Sequence, residues 1–438
     1  MSGHHGDYRS GSLWRCVPFS AVSRQFLTAA LVHLAAAGAV LLLGSYGGAL
    51  TARWDLLLWL LLIGFIGFTT AGFALHLFPT ISRRPQPPRW VARGAFLFAE
   101  GGLVLGAVGL FGVTSAPFAG GMVALGALLF LGCEGTILGL FARELIQPPL
   151  LTRGPDARPG DAVTVPLFLA SWIAAAGSAG LFVLSGFTGG PGFGWWLAAV
   201  HLFVLGHAIL LITAVSLRLV PRSLDADVSR MVVYTLAGLA ISGAWLVPLG
   251  MLALPPTSAA GLALFAAPEA AFAVLFVSVL IVLVHRARTP RAEAGLHLTS
   301  VTLFLIGGTI GLWMVTESDY ALVVAHALLN VLGFVGLTIL FMWFGMVAPF
   351  QRISHAWTRR MLGILAVAWV LGVVVAATAG VAGWPHVGWL SPLAGALLFG
   401  VAIAWGAGTI PVLYPRVNPL PGMTSGELRV IRDRWRHR

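Results

Sequence analysis

Residues 195–222 read WWLAAVHLFVLGHAILLITAVSLRLVPR, with no Asp, Glu or Arg before Arg218. A helix that crosses the hydrocarbon of a bilayer needs about 20 mostly apolar residues, and this run supplies them before its first charge. It then stops on Arg218, Pro221 and Arg222. Runs of the same kind recur from Phe26 to Pro415, separated by short polar breaks. They predict spans over 26–46, 55–79, 92–114, 118–144, 164–186, 195–220, 231–253, 262–285, 297–316, 320–348, 359–382 and 391–414. The expected architecture is an all-α integral membrane protein of twelve helices. One membrane domain covers 25–415, between an N-terminal tail (1–24) and a basic C-terminal tail (416–438).

Composition agrees. Of 438 residues, 58% are hydrophobic and 9% charged, against roughly 25% charged in soluble domains. So few charges cannot coat a globular surface, and lipid must be the main solvent. The net charge of +11 comes from arginine, with no lysine. These arginines lie in short loops between apolar runs, which argues against nucleic acid as a partner. Cys16 and Cys133 are too few and too far apart for a disulfide framework. The first apolar run is long enough to be retained as a helix, so no cleaved leader is expected.

The arginines alternate. Arg9, Arg15 and Arg24 precede the first span, and Arg83, Arg84, Arg89 and Arg93 lie between the second and third. Each later even-to-odd connection carries more, and Arg416 with five others follows the twelfth; only Arg53 falls on the opposite side. By the positive-inside rule both termini are expected in the cytoplasm and the protein in the cell membrane. Trp54, Trp195, Trp196, Trp384 and Trp389 cluster at the opposite ends, as an interfacial belt would. His4 and His5 belong to the tail. Arg429, Arg432, Arg434 and Arg436 around Trp435 suit either solvent or an anionic lipid surface.

Spans two, six and ten resemble one another. Each has small residues in mid-helix and ends near a proline followed by arginine: Pro79, Pro221 and Pro349. Gly64 and Gly206 stand at the same offset from their prolines. Three units of four helices would account for this, with the equivalent helices facing a shared centre.

Ionisable groups inside an apolar core are costly and mark candidate functional positions. They are His33, Glu100, Glu134, His201, His207, Glu269 and His326, with Asn330 one turn from His326. His76, His285 and His297 lie nearer the arginine-rich ends, where His76 and His285 are expected to snorkel. His201 and His207, six residues apart, diverge by roughly 240° around a helix, so a straight helix does not aim both at one metal. His201 and His326 lie at similar depth on spans six and ten, and neutral imidazole is a good iron or copper ligand. The competing account for each histidine is an interhelical hydrogen bond. Glu100, Glu134 and Glu269 would be protonated, paired or set along a wet path for protons. No phosphate loop, Ser-His-Asp signature or HExxH motif occurs.

The stretch His326-Ala-Leu-Leu-Asn-Val-Leu-Gly-Phe-Val-Gly-Leu-Thr-Ile339 resembles helices of the haem–copper oxidase subunit I superfamily. It is most similar to divergent members related to the nitric oxide reductases and to NnrS-type membrane proteins, in which a His-Ala-His-Leu-Asn-Leu-Leu-Gly-Phe pattern opens a helix. The resemblance implies a haem, with copper as a further metal, ligated by His326 with His207 or His201. It also implies a proton path through Glu134, Glu100 and Glu269. The activity implied is nitric oxide handling or respiratory electron transfer, with a redox partner subunit. The pattern is incomplete: Leu328 replaces its second histidine, Trp59 stands in span two where His201 would align, and no adjacent histidine pair follows in span seven. A complete oxygen-reducing centre is therefore not expected. Two other classes fit the bare topology: a proton-coupled secondary transporter using the three glutamates, and a cofactor-free membrane subunit.

Overall fold

The computed structural model describes residues 19–46, 54–82, 86–111, 116–145, 158–188, 194–254, 258–286, 292–317, 321–347, 355–381 and 390–413. Among them, twelve helices are long and apolar enough to cross a membrane. They are α1 (Ala21–Leu43), α2 (Trp54–His76), α3 (Arg89–Leu110), α4 (Phe118–Ala142), α5 (Pro159–Phe187), α6 (Trp195–Arg222), α7 (Arg230–Ala253), α8 (Ala259–Arg286), α9 (Gly295–Glu317), α10 (Val323–Phe344), α11 (Arg359–Thr378) and α12 (Pro392–Ile410). The described residues contain no strand. His4, His5, Arg53, Arg83, Arg84, Trp384, Trp389 and the arginine-rich segment from Arg416 lie outside the described residues.

The spans match the expected ones closely except at two starts. Helix α1 begins at Ala21, five residues early. The Ser23 amide donates to Ser20 Oγ at 3.1 Å and the two hydroxyls lie 2.8 Å apart, so the chain turns into the helix before the apolar run begins. Helix α5 begins at Pro159, five residues early, through a segment that reads as loop. Its Asp161 carboxylate accepts from the Arg158 amide at 2.9 Å and from Arg222 at 2.6 Å, with Arg218 at 3.7 Å. Two guanidinium groups allow this carboxylate to be buried.

Three helices are enclosed by the rest. In α2, α6 and α10, 94, 89 and 78% of the central residues are buried, against at most 44% in every other span. Each of the three changes from α-helix to an eight-residue π-helical segment: Leu60–Gly67, Leu202–Ile209 and Leu329–Gly336. These segments touch one another pairwise at the centre. The other nine helices pack around them in three consecutive sets: α3, α4 and α5; α7, α8 and α9; α11, α12 and α1.

The fifth residue of every π segment is glycine, and each lies against the helix that precedes it. A Cβ at Gly64 would come within 2.8 Å of His33 Cβ, one at Gly206 within 2.5 Å of Ala174 Cβ, and one at Gly333 within 3.2 Å of Leu303 Cβ. Contacts along the seams also fix the helix directions. Trp59 meets Leu103 while Phe68 meets Phe96, so α2 and α3 are antiparallel. Gly102 meets Phe130 while Gly109 meets Val123, so α3 and α4 are antiparallel too. Ala124 meets Gly186 while Phe141 meets Trp172, and Ser178 meets Ala199 while Ser171 meets His207. Helices α2, α4 and α6 therefore run in the same direction.

Two expectations about stability follow. Gly206→Leu overpacks the α5–α6 seam and should cost about 1–3 kcal/mol, whereas Gly180→Ala, with nothing within 4 Å of the new Cβ, should leave the melting temperature in detergent unchanged. Asp161→Ala strands Arg218 and Arg222 at the end of α6 and should cost about 3–5 kcal/mol in the same assay.

Candidate functional site

The rings of His201 and His326 lie side by side at the ends of α6 and α10 remote from Arg218 and Arg222. Their centroids are 6.1 Å apart and their planes 23° from parallel. Both side chains are half-buried on otherwise enclosed helices. His201 lies one residue before the π segment of α6. Its Nδ1 is 2.9 Å from the Leu197 carbonyl oxygen, to which it must donate. His326 lies three residues before the π segment of α10 and donates from Nδ1 to the Gly307 carbonyl at 2.8 Å. Each ring therefore has its Nε2 lone pair free to bind a ligand.

Helix α9 reaches this pair through two glycines one turn apart. A Cβ at Gly311 would lie 2.5 Å from His326 Cε1, and one at Gly307 would lie 2.7 Å from Asn330 Nδ2. Asn330 donates from Nδ2 to the His326 carbonyl oxygen at 2.7 Å, bracing the start of the π segment.

His207 is placed elsewhere. It is the sixth residue of its π segment, where the other two segments carry Phe65 and Phe334. Both of its nitrogens are engaged: Nε2 lies 2.9 Å from Thr70 Oγ1, and Nδ1 lies 3.0 Å from Ser171 Oγ. Trp172 and Phe203 pack on the ring, with centroids 4.8 and 5.0 Å away. His201, not His207, is the histidine beside His326. The α2 counterpart of His201 is Trp59. It is 1% exposed, donates from Nε1 to the Leu103 carbonyl at 3.1 Å, stacks on Trp196 and lies edge-on to Phe182.

The three glutamates do not form a row. Glu100 lies on the α1–α3 seam with Oε2 3.2 Å from His33 Nε2, while His33 Nδ1 lies 3.2 Å from the Gly64 carbonyl. Glu134, fully buried, faces inward from α4. Glu269 sits over Gly243 between α7 and α8. Among the described residues, neither Glu134 nor Glu269 has a hydrogen-bond partner for either carboxyl oxygen.

His76 does not snorkel: it is 4% exposed and packs on Phe19, ring centroids 4.1 Å apart. His285 is exposed beside Arg286. His297 is buried in a polar bridge across three helices: its Nε2 lies 3.1 Å from Ser216 Oγ, Ser300 Oγ donates to its carbonyl at 2.7 Å, and Thr338 donates to Ser300 at 3.1 Å. Thr70, Ser171, Ser216, Ser300 and Thr338 went unnoticed in the sequence, because hydroxyl residues are ordinary in membrane helices.

Among the described residues, no group of three or more His, Cys, Asp or Glu side chains converges as a metal site. No protein-family model matches the chain, and no curated protein matches it.

The two hydroxyls on His207 give a test of this geometry. Thr70→Val leaves a buried imidazole nitrogen without its partner and should cost about 1–3 kcal/mol. In a His207→Phe background the same change should cost much less, because the ring it served is gone. A double-mutant cycle on melting temperature measures the coupling.

Proposed function

We propose that the protein is a divergent haem–copper-oxidase-like membrane protein that binds haem through His326 and His201 and serves nitric oxide handling or respiratory electron transfer. The observation that carries this is the pairing of the two rings. The ring centroids lie 6.1 Å apart, close enough for both histidines to hold one bound group. Both Nδ1 atoms are already committed to carbonyls, the arrangement that orients a metal-ligating histidine.

The donor set favours haem over bare copper. Two imidazoles rarely close a metal's coordination sphere alone, whereas a haem would bring most of its own ligands and ask few of the protein. Once bound, it would supply one-electron redox chemistry. His201 and His326 would hold it, Asn330 and the Gly307 carbonyl would fix the His326 ring, and Trp59 would keep a second group out of the α2 side. Glu134, Glu100 and Glu269 remain the groups proposed to carry protons.

The resemblance at 326–339 gains support from the architecture. We read the chain as three four-helix units, with α2, α6 and α10 as the equivalent inner helices. The shared π segments, their fifth-position glycines and the three outer sets support that reading. A transporter would more often show two halves. The arginine distribution supports placing both termini in the cytoplasm.

The test is an optical spectrum of purified protein from cells supplied with haem, air-oxidised and then reduced, with an iron assay on the same sample. The expected result is a Soret band that shifts on reduction. It should be lost in the His201→Ala/His326→Ala double variant and kept in His207→Phe. A featureless, iron-free spectrum, or a band that survives loss of both histidines, would refute the assignment.

A further inference from the structure

Two buried polar groups without hydrogen-bond partners among the described residues, Glu134 on α4 and Trp172 on α5, stand near the level of His207. Phe130 on α4 lies against Gly67 of α2, with a Cβ there 3.2 Å from its ring, and against Phe203 of α6, ring centroids 6.1 Å apart. Phe141, farther along the same face of α4, lies 5.9 Å from Trp172 of α5. Glu134 stands between these two phenylalanines, one turn beyond Phe130. Because α2, α4 and α6 are parallel, one turn beyond Gly67 and Phe203 brings Thr70 and His207 to the same level. Near this level, among the described residues, both oxygens of the Glu134 carboxyl and the Trp172 indole Nε1 are buried without a hydrogen-bond partner. Trp172 lies edge-on to His207, which Thr70 and Ser171 hold.

An orphaned donor and an orphaned acceptor in one buried space are the usual sign of internal water. Leaving both dry would cost the desolvation of each. His207 adds a polar group where the two equivalent π positions carry phenylalanine, so ring packing alone does not call for it.

We propose that Glu134, His207, Thr70 and Trp172 enclose an internal water site that holds one exchangeable proton, passed between the Glu134 carboxyl and the His207 imidazole through the bound water and the Thr70 hydroxyl, which lies 2.9 Å from His207 Nε2. The transfer balances within the site: the proton leaving the carboxyl converts the imidazole to imidazolium and leaves a carboxylate, and the return step reverses both. Around Glu134, α6 contributes the titratable His207, and Cys133 neighbours Glu134 on α4. Helices α2 and α5 bring Thr70, Ser171 and Trp172, and α3 packs on α4 through Gly102, Gly106 and Gly109. The proposal takes from the functional reading only that Glu134 moves a proton, and it assigns to His207 a role apart from His201 and His326. Neither readout below depends on haem, so the two assignments can fail separately.

Infrared spectroscopy of the purified full-length chain in H₂O and D₂O tests it. A carboxylic C=O band that is absent in Glu134→Gln should shift on deuteration, and His207→Phe should slow that shift by at least about tenfold. Should Glu134→Gln fail to fold, Glu134→Asp makes the assignment by moving the band. Trp172→Phe should lower the melting temperature, because it removes a donor to bound water. An unchanged exchange rate in His207→Phe, the absence of any Glu134 acid band, or a rise in melting temperature in Trp172→Phe, as expected of a dry pocket, would overturn the proposal.

Discussion

The fold depends on how closely α1, α5 and α9 approach the three central helices. Inside a bilayer the hydrophobic effect does not drive helices together, so association rests on packing and interhelical hydrogen bonds. Gly64, Gly206 and Gly333 make that packing possible, since a Cβ at any of them meets a neighbouring side chain at 2.5–3.2 Å. Each glycine sits in a π segment, where the wider turn re-aims side chains relative to a regular helix. Close approach and local unwinding occur together three times, and they set the positions of His201, His207 and Asn330.

The polar groups admitted to this core are nearly all tied to backbone. His33 reaches the Gly64 carbonyl, His201 that of Leu197, His326 that of Gly307, and Trp369 that of Leu332. Each tie satisfies a donor in a medium without water and fixes a ring at the same time. Among the described residues, the carboxyl groups of Glu134 and Glu269 and the indole nitrogens of Trp172, Trp343 and Trp405 are buried without such ties.

Much of the architecture was legible in the sequence because it depends on composition averaged over a span. Twelve runs and their ends emerged from apolar length and arginine position. Helices α1 and α5 began early because Ser20 and Asp161 are read as loop formers until their partners are known. Those partners are Ser23 for one, and Arg158, Arg218 and Arg222, some 60 residues away in the chain for the last two, for the other. The pairing of His201 with His326 was half legible. Depth can be counted along a helix, but the choice between His201 and His207 turns on azimuth, which the π segments alter. The surroundings of His207 were not legible, because Thr70 and Ser171 come from other helices and carry no signal of their own.

Helix α12 packs back onto α1, where a Cβ at Gly38 would lie 2.9 Å from Phe399 Cα and one at Gly395 would lie 2.5 Å from Leu42 Cα. The outer ring is thus sealed between the earliest and latest of the twelve spans to leave the ribosome. Synthesis proceeds from the N-terminal end at about 5–20 residues per second, so α1 enters the bilayer well before its closing neighbour exists. During that interval its small-residue face, shaped for backbone contact, is bordered by lipid alone. The seam between α1 and α12 can form only once α12 has been made.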